Sequence, residues 1–152
     1  MITKDDVVEA QEAWGNGIVK IGSLKDDREA CVKATNEHLD NLYAFELGAV
    51  LFKPTKAAET QFRLTKDSAF SYFIGGDDNY TEDHGFAINP WTAVRFENAA
   101  VILEETRAIA MGNYYFTDLK GNDTKVEYTF GYKKDENGNL KIVHTDDKLR
   151  WE

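Results

Sequence analysis

The chain has 152 residues, 42% hydrophobic and 12% aromatic, and a domain of that size buries roughly 68–70% of its unfolded surface with no disulfide or metal staple. Eighteen Lys and Arg stand against 27 Asp and Glu, a net charge of −9 that argues against nucleic-acid and anionic membrane partners. The lone Cys31 excludes an internal disulfide and a Cys-rich zinc site.

No apolar run approaches the ~20 residues that cross a bilayer. The acidic start Met1-Ile-Thr-Lys-Asp-Asp6 lacks a signal-peptide pattern, so a cytoplasmic protein is expected. Thr3 opens a first helix in which Val7, Gln11, Trp14, Ile18 and Ile21 recur at helical spacing, with Val8 widening the stripe. Gly15 and Gly17 each cost that helix about 1 kcal/mol against Ala, which implies close packing on another element. A second helix is predicted from Asp27 to Tyr43, with Cys31, Ala34, His38, Leu39 and Leu42 inward. Ala49–Phe52 reads as a short strand ended by Pro54, and Lys66–Ile74 as a third helix closed by Gly75 and Gly76.

From residue 93 the period changes to two. Residues 93–104, 107–118, 125–135 and 140–149 read as four strands, and Val126, Tyr128, Phe130 and Tyr132 mark a buried face. Lys120-Gly-Asn-Asp and Glu136-Asn-Gly-Asn supply hairpin turns. With no repeat or linker visible, one α+β domain over residues 1–152 is expected, its helices packed on one face of a curved antiparallel sheet.

Several stretches carry a family resemblance: Val50-Leu-Phe-Lys-Pro-Thr-Lys-Ala, Ser71-Tyr-Phe-Ile-Gly-Gly, Gly85-Phe-Ala-Ile-Asn-Pro-Trp, Met111-Gly-Asn-Tyr-Tyr-Phe-Thr-Asp and Val126-Glu-Tyr-Thr-Phe-Gly-Tyr. They resemble the nuclear-transport-factor-2-like, or SnoaL-like, cone, which also includes the calcium/calmodulin-dependent kinase II association domain. Within it they are similar to the metal-free iota-class carbonic anhydrases, in a branch often labelled phosphoribosyl-AMP cyclohydrolase-like. That label implies a cysteine-ligated metal, which a single cysteine does not match. The resemblance implies no cofactor and a pocket Thr, a third-helix Tyr and a C-terminal His-His-Ser-Ser that hold bicarbonate and the reacting water. Thr55 and Tyr72 match the first two. The third reads Thr145-Asp-Asp-Lys148, with Asp146 and Lys148 where the family places its second His and second Ser.

If Ile142 faces the cone, strict alternation sends His144, Asp146 and Lys148 inward too. His144 and Asp146 are then a candidate base and its orienting carboxylate; the plain alternative is a solvated strand end with Asp146 paired to Lys148. Thr55 and Tyr72 are candidate donors to an anion, or a loop-satisfying hydroxyl and a packed ring. Arg63 and Arg95 are candidate anion holders, against structural ion pairs to Glu59 and Glu97. Asp77–Asp83 lacks the glycine and closing glutamate of a calcium loop and reads as a solvated loop. His38, His84 and His144 show no metal-ligand spacing.

These residues predict a metal-free lyase or hydrolase acting on a small polar or anionic molecule in the cone. The alternative is a non-catalytic ligand-binding or association module. Because the family motif is missing, carbon dioxide hydration is expected to be weak or absent. A homodimer through the open sheet face is expected, with Tyr115, Val126 and Tyr128 on the strands that form it.

Overall fold

Thr3 caps the first helix, α1 (Lys4–Ser23), in a reciprocal box. Its hydroxyl accepts the Asp6 N–H at 3.1 Å, while the Asp6 carboxylate accepts the Thr3 N–H at 2.9 Å. The computed structural model describes residues 1–149. The stripe Val7, Gln11, Trp14, Ile18 and Ile21 is buried as its spacing predicts. Asp27 caps α2 (Arg28–Leu42), which turns Cys31, Ala34, His38 and Leu39 inward and leaves Leu42 half-buried. A β-carbon at Gly17 would collide with the His38 ring, and one at Gly15 would lie 3.1 Å from Val94, so these two positions let α1 approach both α2 and the sheet. The third helix, α3 (Lys66–Ile74), ends at Gly75 with φ +64°. Arg28 donates to the free carbonyls of Ile74 and Gly75 there.

The sheet contains β1 (Leu51–Lys53), β2 (Ala93–Leu103), β3 (Arg107–Thr117), β4 (Asp123–Lys134) and β5 (Leu140–Leu149), in the order β1-β5-β4-β3-β2. The four long strands are antiparallel, as their hairpin turns require. The short strand β1 joins the edge parallel to β5, making a five-stranded mixed sheet where four antiparallel strands were expected. The helices cover its concave face. Trp14 lies at the centre, its ring 5.4–6.0 Å from those of Phe96, Tyr114, Phe116 and Phe130. Among the described residues no helix is long and apolar enough to cross a membrane.

Two irregularities set the direction of side chains. The register slips between Asn98 and Ala100 on β2, and between His144 and Ile142 where β5 pairs with Gly131 and Tyr132 of β4. Each slip lies opposite a strand glycine. A β-carbon at Gly112 would run into the β2 backbone, and one at Gly131 would meet His144 Cβ at 3.1 Å. In β5 the extra residue is Val143, and one inserted residue exchanges the two faces of everything beyond it.

Val126 and Tyr128 are buried at 1% and 2% exposure on the concave side, as their alternation with polar neighbours predicts, so their strands contribute other side chains to the open face. The outward row instead runs Leu51, His144, Gly131, Ile109 and Ile102 across all five strands, with Met111 beside it. Leu51, Ile102, Ile109 and Met111 are all exposed.

His38 is enclosed by the rings of Trp14, Tyr43 and Phe73, and its Nε2 has no partner. Burial pushes its pKa down to about 3. The neutral ring is therefore the folded form, and the stability it carries is complete above pH ~6.5 and lost as pH falls through about 3. At the bottom of that window the loss is on the order of 5 kcal/mol. As pH falls from 7 to 4, the urea midpoint of a His38→Leu variant should rise relative to that of the wild type; parallel pH profiles would assign this histidine no part in the pH dependence.

Candidate active site at the mouth of the cone

Pro54 ends β1, and the loop after it carries Thr55. The loop is closed at its base by hydrogen bonds from Val50 N to Leu64 O and from Arg63 N to Phe52 O. Its outer turn is held by Glu82, whose carboxylate accepts the N–H groups of Ala58, Glu59 and Thr60 at 2.7–3.2 Å. Those backbone bonds hold the Glu82 pKa below the usual range. Asp83, next in sequence, takes a bidentate pair from Arg63 at 2.8 Å and the Ser71 hydroxyl at 2.6 Å. The end of the acidic stretch 77–83 is thus an anchor, not the solvated loop expected of it.

Arg63 is completely buried, and its donors are spent on Thr60 O, Ser68 O, Asp83 and, at 3.6 Å, Glu82. This corrects its candidacy as a substrate-binding cation: no N–H is left to offer, and its partners are Asp83 and Glu82 instead of Glu59. Its contribution is to fasten the Thr55 loop to α3. Arg95 lies exposed on β2, its guanidinium 4.1 Å from the Tyr115 ring and 4.0 Å from Glu97.

Thr55 and Tyr72 do meet. The Tyr72 hydroxyl accepts the Lys56 N–H at 3.2 Å with the Thr55 side chain against it. Because the phenol accepts from the backbone, its own proton remains available to donate. Burial pushes the Tyr72 pKa up, so the hydroxyl stays protonated at any working pH. Two clefts reach this point from solvent. One of about 490 Å³ is lined by Tyr72, and one of about 250 Å³ by Thr55; both share Lys56, Phe86 and Asn89.

The strand β5 supplies the third side of the site, with its phase reversed by the Val143 bulge. His144 and Asp146 turn to the outer face, where Asp146 is exposed opposite Lys53 and His144 lies between Leu51 and Gly131. They do not face Thr55 and Tyr72, which corrects the inward orientation expected from unbroken alternation. Thr145 and Asp147 face inward instead, at 1% and 5% exposure. The Thr145 hydroxyl lies 3.4 Å from both Asp147 oxygens.

Burial pushes the Asp147 pKa up to about 7; the Tyr114 hydroxyl and Thr145 offset part of the rise, and Asp146 adds to it. The Asp147 charge in turn adds to the rise that burial gives the pKa values of Tyr43, Tyr72 and Tyr114, and Tyr114 is hydrogen-bonded to it. Sequence reasoning missed Thr145 and Asp147. The available signal was Gly131, since a glycine inside a strand marks a bulge in its partner.

A carboxyl that changes charge near neutrality, beside the Tyr114 and Thr145 hydroxyls, can take a proton from water, and the Thr55 and Tyr72 hydroxyls can donate to a small oxyanion. Among the described residues no three His, Cys, Asp or Glu side chains gather as a metal would need.

The fold and this site define a cone-shaped α+β domain with a small polar pocket at the open end. Residues 5–148 match the family model described as metal-independent carbonic anhydrase. The chain is 39% identical over 154 residues to a metal-independent carbonic anhydrase from Nostoc sp., covering 99% of this chain and 75% of that protein. The chain belongs to the metal-independent carbonic anhydrase family.

Among solved structures, that of the iota-carbonic anhydrase from a cyanobacterium complexed with bicarbonate has a TM-score of 0.96 at 36% identity, covering 99% of this chain and 94% of that one. A Xanthomonas campestris protein described as a calcium/calmodulin dependent protein kinase II association domain has a TM-score of 0.64 at 21% identity, covering 100% of this chain and 91% of that one. A nuclear transport factor 2-like superfamily protein from Salmonella enterica has a TM-score of 0.56 at 12% identity, covering 98% and 92%. At those identities the last two show the fold alone.

Proposed function

We propose that the chain interconverts carbon dioxide and bicarbonate without a metal, with Asp147 as the base. The observation that carries this reading is the Val143 bulge, which turns a buried carboxyl of pKa about 7 to the inner face of β5, beside the end of β1 that leads to Thr55 and near enough to Tyr72 to raise its pKa. The bicarbonate bound by the cyanobacterial relative, at 36% identity, supports the ligand class. As a water oxygen adds to the carbon of carbon dioxide, one water proton passes to the Asp147 carboxylate. The π bond of one C=O opens, its electron pair moves to that oxygen, and the resulting oxyanion receives hydrogen bonds from Thr55 and Tyr72. Bicarbonate leaves, and the Asp147 proton passes to solvent.

Stopped-flow hydration should therefore show a rate that rises through about pH 7 as Asp147 ionises. It should stay slower than in a chain with the complete His-His-Ser-Ser set. A rate equal to the buffer blank at every pH overturns the proposal. The cytoplasmic location expected from the sequence is part of the same proposal and is checked by cell fractionation.

A second reading concerns partners. The outward row Leu51, Ile109 and Ile102, with Met111 beside it, spans the sheet and is exposed. A second copy of the chain would cover this surface with an identical one related by a two-fold axis. Sedimentation at tens of micromolar, roughly the range for transient contacts, should give a dimer. An Ile109→Asp variant should sediment as a monomer with its melting temperature little changed; a wild-type monomer would remove this interface.

A further inference from the structure

Among the described residues, one lysine or arginine lines the mouth of the site without an ion-pair partner. Lys56 lines both clefts, and among the described residues no carboxylate lies within ion-pairing distance of its ammonium group. The acids that share those clefts are all engaged elsewhere. Glu82 holds three backbone N–H groups, Asp83 holds Arg63 and Ser71, and Asp118 accepts the N–H groups of Lys120 and Asn122 in its own turn. An exposed lysine among carboxylates that are already satisfied stays free to meet an anion.

Its backbone is fixed as well. The Lys56 N–H holds the Tyr72 hydroxyl at 3.2 Å, and Thr55 precedes it in sequence, so the side chain departs from the same point as both anion donors. The need for such a cation follows from charge. The chain has a net charge of −9, and its field opposes the approach of any small anion; a cation at the entrance offsets part of that field locally.

We infer that Lys56 is the anion-holding residue of this site, drawing bicarbonate into the mouth and keeping it against Thr55 and Tyr72. The inference rests on the proposed carbon dioxide–bicarbonate reading, and a binding measurement tests it apart from turnover. The substrate on the hydration side is neutral, so the ammonium group acts on the anionic side of the reaction, on bicarbonate affinity and release.

Sodium bicarbonate titrated into 15N-labelled protein, at ionic strength matched with sodium chloride, should shift the amides of Thr55 and Lys56 to saturation. Lys56→Ala should weaken binding about fivefold to tenfold, the scale of a partly solvated charge-assisted contact. Lys56→Arg should restore binding to within about twofold, because it keeps the charge, and Lys56→Glu should abolish saturation. Raising the salt should weaken binding in the wild type relative to the alanine variant, narrowing the difference between them. The backbone donor to Tyr72 survives all three substitutions, so the melting temperature should stay in place. If the wild type binds and the alanine variant binds equally well, the role of Lys56 falls and the reading of the pocket stands. If bicarbonate shifts nothing in the wild type, both fall.

Discussion

An Asp147→Asn variant should unfold at higher urea concentration than the wild type at pH 9, and at nearly the same concentration at pH 4. Asp147 has its folded pKa raised to about 7 from 3.8, so its neutral form is the one the fold favours. The stability tied to that form is complete below pH ~3.8 and is lost as pH rises through about 7. The full difference corresponds to roughly 4 kcal/mol, an upper figure for a site that admits water. Asparagine keeps the shape and never ionises, so it escapes the penalty at alkaline pH.

The same substitution removes the proposed base, and on that proposal hydration should fall by about 10²-fold or more, towards the buffer rate. A gain in stability joined to a loss of rate is the signature of a group kept for chemistry at a cost to the fold. If the asparagine variant is no more stable at pH 9, Asp147 is not held in a low-dielectric site. If it hydrates carbon dioxide as fast as the wild type, another group is the base. Asp147 and His38 act in opposite directions, one favouring stability below about pH 7 and the other above about pH 3 to 6.5. The chain should therefore be most stable in mildly acidic solution.

The difference between what could and could not be read from the sequence follows from the range of the signals. The helices were legible because capping and periodicity are local: Thr3, the Val7–Ile21 stripe and Gly75 each act within a few residues, and the structure places α1 and α3 where those signals put them. The meander was legible for the same reason, through two turns and the alternation at Val126–Tyr132. Thr55 and Tyr72 were found through motif stretches on either side of the mouth. The partner of Arg63 was not, because Asp83 is twenty residues away and only the packed loop brings it near.

The face of β5 was misread for a sharper reason. Ile142-His144-Asp146 and Val143-Thr145-Asp147 alternate equally well, and the choice between them depends on a bulge that lies opposite Gly131 of the neighbouring strand. Period-two reasoning carries no information across an insertion of one residue. The error changes the chemistry of the site, since it exchanges an outer imidazole for a buried carboxyl.

That exchange yields a test in which half of a four-residue motif should matter. The resemblance to the iota class sets His-His-Ser-Ser against Thr145-Asp146-Asp147-Lys148, and only the first and third of these positions face inward. Thr145→His with Asp147→Ser should therefore raise carbon dioxide hydration by about 10²-fold or more, since each polar contact to the transition state is commonly worth about 10²–10³ in rate. The double change also replaces the titrating carboxyl with an imidazole and a hydroxyl, so the midpoint of the pH–rate profile should move to that of the new histidine. Asp146→His with Lys148→Ser alters two outward side chains and should change the rate by less than about twofold, the scale of a remote surface substitution. A full four-residue graft should then match the inner pair. If the outer pair alone accelerates hydration, β5 does not carry the bulge in solution and His144 returns to the cone. If the inner pair folds and gives no gain, the Thr55–Tyr72 mouth is not where carbon dioxide is hydrated.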